Sequence, residues 1–141
     1  MVRILALDLG ERRIGIAVSD LLGLTAQGLE VIDKKQTPDW LHRLDTLIQE
    51  YEVERIVIGF PRNMDGSIGS KGEASKQVAD VLKERYALPV DLWDERLSTA
   101  AAQRSLIKAD VSRKKRKQVV DQVAAQWILQ GYLDANRGKY Q

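Results

Sequence analysis

Apolar positions along this chain fall into blocks whose period switches between two and about 3.6, and the switches mark the elements. Residues 2–9 (Val2-Arg3-Ile4-Leu5-Ala6-Leu7-Asp8-Leu9) are apolar on both faces of an extended backbone. That suits a central strand covered from both sides. Gly10-Glu11-Arg12 makes a short turn, and Arg13 to Ser19 alternates clearly, so the second strand returns antiparallel. A third strand, about residues 26–33, follows the Leu22-Gly23-Leu24 turn.

Thr37-Pro38 then offers an N-cap with proline at the first helical position. Trp40, Leu41, Leu44, Leu47, Ile48 and Tyr51 recur at helical spacing, predicting a helix to about Glu52. Arg55 to Gly59 reads as a short, fully apolar strand, followed by a glycine-rich polar loop from Phe60 to Gly72. A helix is predicted from about Glu73 to Arg85 with Ala74, Val78, Val81 and Leu82 on one face, stopped by Pro89. Val90 to Asp94 is a fifth strand, and Ser98 can cap a helix running to about Lys108. After the basic segment, a last helix spans about Lys115 to Arg137. Three strands in a meander followed by strand–helix alternation predict one α/β domain over 1–141. Its five-stranded mixed sheet has helices on both faces and the first, fourth and fifth strands parallel in its centre.

Composition narrows the chemistry. With 141 residues, 44% hydrophobic and 30% charged, the chain can enclose a core and is not of disordered type. No apolar run approaches the roughly 20 residues of a membrane span. The N-terminus lacks the pattern of a secretory signal, and a cytoplasmic setting is expected. There is no cysteine, which excludes disulfides, thiolate zinc sites and cysteine nucleophiles. The one histidine, His42, reads as a solvent-side position of an amphipathic helix. Carboxylates, hydroxyls and basic groups are left to do any chemistry. Net charge is only +2, but Arg113-Lys114-Lys115-Arg116-Lys117 is an unbroken basic run, a pattern found on solvated faces and on nucleic-acid footprints alike.

Three acids then stand out. Asp8 ends the apolar first strand, and Asp94 and Glu95 end the fifth. The carboxyl ends of parallel strands are where loops diverge and ligands bind. Alternation puts Val90, Leu92 and Asp94 on one face and Asp91, Trp93 and Glu95 on the other. Asp121 heads a helical stripe with Ala124, Ala125, Ile128 and Tyr132, so it faces the core side. Each acid alone is readily a turn or helix-end carboxylate. Together, Asp8, Glu95 and Asp121 form an oxygen donor set suited to Mg²⁺ or Mn²⁺. A pair of such ions about 3.5–4 Å apart suits in-line displacement at a phosphodiester, with Asp8 bridging and Glu95 and Asp121 on either side. Phosphate-compatible segments flank the acids: Gly10, Arg12, Arg13 and Gly15 after Asp8, Asn63 within Gly59–Gly69, Arg96, Ser98 and Thr99 after Glu95, and Arg113, Lys114 and Lys115.

The motifs Asp8-Leu9-Gly10 with Arg13-Ile14-Gly15-Ile16-Ala17-Val18-Ser19-Asp20, Gly59-Phe60-Pro61-Arg62-Asn63-Met64-Asp65-Gly66-Ser67, Asp94-Glu95-Arg96-Leu97-Ser98-Thr99 and Asp121-Gln122-Val123-Ala124-Ala125 resemble the YqgF/RuvX family in order and over essentially the whole chain. Its members are described as Holliday junction resolvases and as nucleases processing the 5′ end of precursor 16S ribosomal RNA. The resemblance implies a ribonuclease H-like fold, a bacterial cytoplasmic setting, a divalent metal, and acidic positions at Asp8, Glu95 and Asp121, with Asp94 the competitor for the middle role. Related junction resolvases carry a further ligand one turn after the helix aspartate, where this chain has Ala124. That implies one firmly held ion and a second recruited with substrate phosphate.

Other classes compete. Phosphotransferases of the actin and sugar-kinase type also place an aspartate and glycines in their first hairpin, but pair two such domains around the nucleotide. A non-catalytic RNA-binding module would keep the fold without using the acids. Partners expected of the nuclease are a ribosomal RNA precursor or branched DNA and no membrane. Symmetric junction cleavage calls for a homodimer, whereas RNA trimming needs only a monomer.

Overall fold

The computed structural model describes residues 2–60, 65, 67–94 and 113–137, with residues 113–122 described as backbone only. Five strands, β1 (Ile4–Leu9), β2 (Arg13–Ser19), β3 (Ala26–Asp33), β4 (Arg55–Phe60) and β5 (Val90–Asp94), form one sheet in the order β3-β2-β1-β4-β5. The β1–β2 and β2–β3 pairs are antiparallel, and β1–β4 and β4–β5 are parallel. The mixed sheet is as expected, except that β5 lies at the edge instead of in the centre. Three helices accompany it among the described residues: α1 (Trp40–Glu50), α2 (Ser70–Tyr86) and α3 (Arg113–Ala135).

Alternation along β1 divides the core in two. Leu5 and Leu7 join Ile14, Ile16, Ile56 and Ile58 beneath α1 and α2. Ile4 and Ala6 join Ala17, Val57 and the α3 residues Ala125, Ile128, Leu129, Tyr132 and Leu133 on the opposite face. Helices therefore cover both faces. The small Ala124 and Ala125, both fully buried, let α3 lie close on the sheet.

Two contacts lock α3 in place. Tyr132 Oη donates to Asp91 on β5, which also accepts from Arg55 Nη1 of β4 at 2.7 Å. At the other edge, Gln130 Oε1 accepts from Ala26 N–H (2.9 Å), and Gln126 Nε2 donates to Ala26 O (3.2 Å). The start of edge strand β3 is thus capped by side chains, which blunts a surface prone to pairing with other chains.

Local chemistry moves several helix boundaries. α1 is capped by Asp39, whose carboxylate accepts from His42 N–H, and not by Thr37, whose N–H closes a turn onto Asp33 O. α2 starts at Ser70 behind Gly69 instead of at Glu73. Its buried stripe is Ser75, Ala79 and Leu82, while Ala74 and Val81 are exposed. Ser75 is tolerated there because its hydroxyl donates to Lys71 O at 3.1 Å. α3 begins at Arg113, so the basic run belongs to its first turns and does not precede it. The helix expected from Ser98 to Lys108 lies outside the described residues. His42 is exposed, as its helical position requires.

α1 and α2 are tied by one polar cluster. Arg85 donates twice to Asp45, at 2.7 and 2.6 Å, and Tyr86 Oη donates to the same carboxylate at 2.6 Å. Hydrogen bonding from Arg85, helped by Tyr86 and opposed by partial burial, lowers the Asp45 pKa from 3.8 to about 2. A depressed carboxyl pKa stabilises the fold above the unfolded value and ceases to do so as pH falls through the folded value. Asp45→Asn is therefore expected to unfold at lower urea than wild type at pH 6, with the gap closing between about pH 4 and pH 2. A constant gap over that range in urea titrations followed by circular dichroism would show that Asp45 does not act through its charge.

Candidate active site

Asp8 occupies the last turn of alternation on β1. Because Ile4 and Ala6 face α3, Asp8 faces α3 as well. It is half-buried, at the point where the sealed strand opens. The register fixes its neighbours. Gly15 of β2 stands directly opposite, and the Leu7↔Ile58 pairing brings Gly59 of β4 alongside. Both are buried, and neither carries a side chain, so the carboxylate sits between two bare stretches of backbone.

On β5 the layer of one candidate acid, Asp94, is fixed. Val90 and Leu92 pack toward α1 and α2, and alternation puts Asp94 with them, on the face opposite Asp8. Asp91 and Trp93 lie on the α3 side, Asp91 bonded to Tyr132 and Trp93 edge-on to the same ring at 5.6 Å. Asp94 is thereby the poorer partner for Asp8. Glu95 lies outside the described residues. β4 separates β1 from β5, a distance of about 10 Å at two strand spacings. Gly59 of β4, aligned with Trp93, puts no side chain into that gap.

Asp121 lies on α3, one turn before the buried Ala124 and Ala125. Its side chain is outside the described residues. Ala124 is wholly buried and adds no donor.

The basic and glycine positions resolve unevenly. Gly10 donates its N–H to Arg13 O at 2.8 Å, and a Cβ on Gly10 would come within 2.7 Å of that same oxygen. The hairpin itself demands glycine there, which accounts for the residue without any ligand. Arg12 is exposed and pairs with Asp33 at 3.2 Å. Arg13 is half-buried on β2, opposite Asp33. Asn63, Arg96, Ser98 and Thr99 lie outside the described residues. Arg113, Lys114 and Lys115 form the first turn of α3. Sequence reading missed Arg43 and Asp33. Asp33 followed by Lys34-Lys35 had an available signal, since a strand-ending aspartate often folds back on the next backbone N–H groups. Here it accepts from Lys35 N–H at 2.9 Å.

The donor chemistry fits a hard divalent cation on the α3 face: carboxylate oxygens, no thiol or imidazole, and a glycine on either side of Asp8. Among the described residues no three acidic, histidine or cysteine side chains converge; the side chains of residues 95 and 121 are not among them.

Fold and site together define a ribonuclease H-like protein: a five-stranded mixed sheet, helices on both faces, and a carboxylate at the exit of the central strand. The backbone matches the RuvC resolvase of T. thermophilus, solved with a Holliday junction, with TM-score 0.60 and 13% identity over 97% of this chain and 98% of that one. A Fowlpox virus resolvase matches with TM-score 0.54 and 11% identity over 96% and 99%. The chain belongs to the RuvX family, described as "Holliday junction resolvase", whose model matches residues 2–135. A protein of Desulfitobacterium hafniense (strain DSM 10664 / DCB-2) named "Putative pre-16S rRNA nuclease" is 56% identical over 98% of this chain and 96% of its own length. One of the same name from Geobacillus sp. (strain WCH70) is 56% identical over 96% and 100%.

Gly10→Ala is expected to cost about 1–3 kcal/mol, the usual range for overpacking against groups that cannot yield. Thermal unfolding checks this. An unchanged midpoint would mean the hairpin relaxes freely and that glycine serves something else.

Proposed function

We propose that this chain is a single-domain, divalent-metal-dependent endonuclease that trims the 5′ flank of precursor 16S ribosomal RNA. Relatives bearing that activity in their name, 56% identical over nearly the whole chain, carry the reading. The direction in which Asp8 faces supports it. Asp8 on β1, Glu95 after β5 and Asp121 on α3 would hold Mg²⁺ or Mn²⁺, which supplies charge neutralisation at the scissile phosphate and a more acidic water.

The chain's own residues have separable tasks. Asp8 orients its oxygens toward α3 because the row behind it is packed. Tyr132, Asp91 and Arg55 hold α3 on the sheet and so set the position of Asp121. The basic first turns of α3 supply phosphate attraction from the same helix. A carboxylate cluster of this kind repels itself without a cation, which makes the cation part of the site's stability.

A second reading, cleavage of four-way DNA junctions, is favoured by the description of the family. Both are tested by one assay of purified protein with Mg²⁺ or Mn²⁺ on a precursor 16S fragment and on a DNA junction. Asp8→Asn is expected to lose at least about 100-fold in rate, since even outer-shell partners of metal ligands cost about 10–100-fold when removed. Glu95→Gln should lose comparably and Asp94→Asn little, because Asp94 faces the other layer. Activity retained in Asp8→Asn would assign cleavage to another site or a contaminant. Wild-type binding without cleavage would favour the non-catalytic module.

A further inference from the structure

Trp93 keeps a polar atom that the packing around it does not use. Its indole N–H is buried and has no acceptor among the described residues. We propose that Trp93 is a positioning residue for Asp8: across the bare Gly59, its N–H donates to the Asp8 carboxylate when the site holds its divalent cation. This rests on the reading of Asp8 as a cation ligand and names the group that fixes the orientation of that ligand.

Register puts the two side chains in one row. Asp8 stands beside Gly59, one step beyond the Leu7↔Ile58 pair, and Gly59 stands beside Trp93. Both side chains belong to the α3 face, where Trp93 packs against the core beneath that helix. Their Cα atoms are separated by two strand spacings, about 10 Å. A carboxylate and an indole reaching toward each other can close that gap to a hydrogen bond of about 2.9 Å. A side chain at position 59 would stand between them, and glycine puts none there.

The other polar neighbours of the indole are engaged elsewhere. Tyr132 meets it edge-to-face at 5.6 Å between ring centroids, and the Tyr132 hydroxyl donates to Asp91. Asp91, next on the same face of β5, also accepts from Arg55 at 2.7 Å. Asp94 belongs to the opposite face. A phenyl ring would fill an apolar slot of this kind without burying a donor, whereas an indole whose N–H stays unmade loses its hydration for nothing. An acceptor arriving from Asp8 offsets that loss. Carboxylates that ligate metals are held by such a second bond as a rule, and a donor bonds more strongly to an ionised oxygen than to a neutral one. A carboxylate has about four lone-pair sites, enough for a cation, other donors and the indole together.

The experiment uses the whole chain, labelled with ¹⁵N, and Mg²⁺ alone. The sequence has three tryptophans, so three indole signals are expected in the ¹H–¹⁵N spectrum, and W93F identifies that of Trp93. On adding Mg²⁺ the Trp93 indole proton should move downfield and acquire a nuclear Overhauser contact to the Asp8 β protons. By calorimetry W93F should bind Mg²⁺ about tenfold more weakly, within the range for losing the partner of a metal ligand. W93H, which keeps a neutral ring N–H at about pH 8, should recover most of that loss. A tryptophan that only fills space produces neither the contact nor the rescue. An indole signal that stays put while Mg²⁺ binds, a contact to a residue other than Asp8, or wild-type affinity in W93F overturns the proposal. Should W93F fail to fold, the wild-type contact decides, with the indole signal assigned through the backbone. A wild type that cleaves precursor 16S RNA with Mg²⁺ but shows no Trp93–Asp8 contact overturns the positioning role alone. A wild type that neither binds Mg²⁺ nor cleaves overturns the nuclease reading as well.

Discussion

The two-sided burial of β1 is the constraint on which the site depends. A strand sealed on one face slips register more readily, because its exposed face is tolerant. A strand sealed on both cannot, since a one-residue shift would exchange the contents of two different cores. Here Leu5 and Leu7 fit beneath α1 and α2, and Ile4 and Ala6 fit beneath α3. Asp8 inherits its direction from that packing. Its carboxylate faces α3 because the strand behind it, packed on both faces, admits no other arrangement, and the surface that receives it is floored by Gly15 and Gly59.

The same rule explains what could be read in advance. Strand limits in the hairpin and in β5 were legible because alternation and turn chemistry agree there. The α3 stripe was legible because Ala124, Ala125, Ile128 and Tyr132 repeat at helical spacing, and all four are buried. α1 and α2 were less legible at their ends, where capping competes locally. Thr37-Pro38 is a good helix start by composition, yet Asp39 takes the cap and leaves Thr37 N–H to a turn. α2 buries Ser75 and exposes Val81, an inversion that hydropathy cannot anticipate because Ser75 satisfies its hydroxyl within its own helix.

In the site, the direction of Asp8 follows from its strand, but the argument against Asp94 needed the layer identity of β5. Sequence gives the alternation and not which side carries α3. Arg43 was invisible for a related reason. It lies on the polar side of an amphipathic helix, where most arginines are merely solvated, and its relation to Glu30 exists only once β3 is placed as the neighbouring edge. Gly10 shows the converse error: a glycine beside a candidate phosphate site invites a ligand explanation, while the 2.7 Å approach of Arg13 O demands glycine for the turn alone.

Ala124 bears on how the proposed acids would hold a cation. A further carboxylate or imidazole there would sit under the helix, in space that is now wholly buried, and would hold α3 further from the sheet. The chain instead keeps close packing and a smaller donor set. With fewer carboxylates the proposed site would repel itself less when empty and would also grip a second cation less. In the proposed site, oxygen ligands missing from the protein would have to come from the substrate's phosphate, so accurate placement of the strand would matter more than in a richer metal cage.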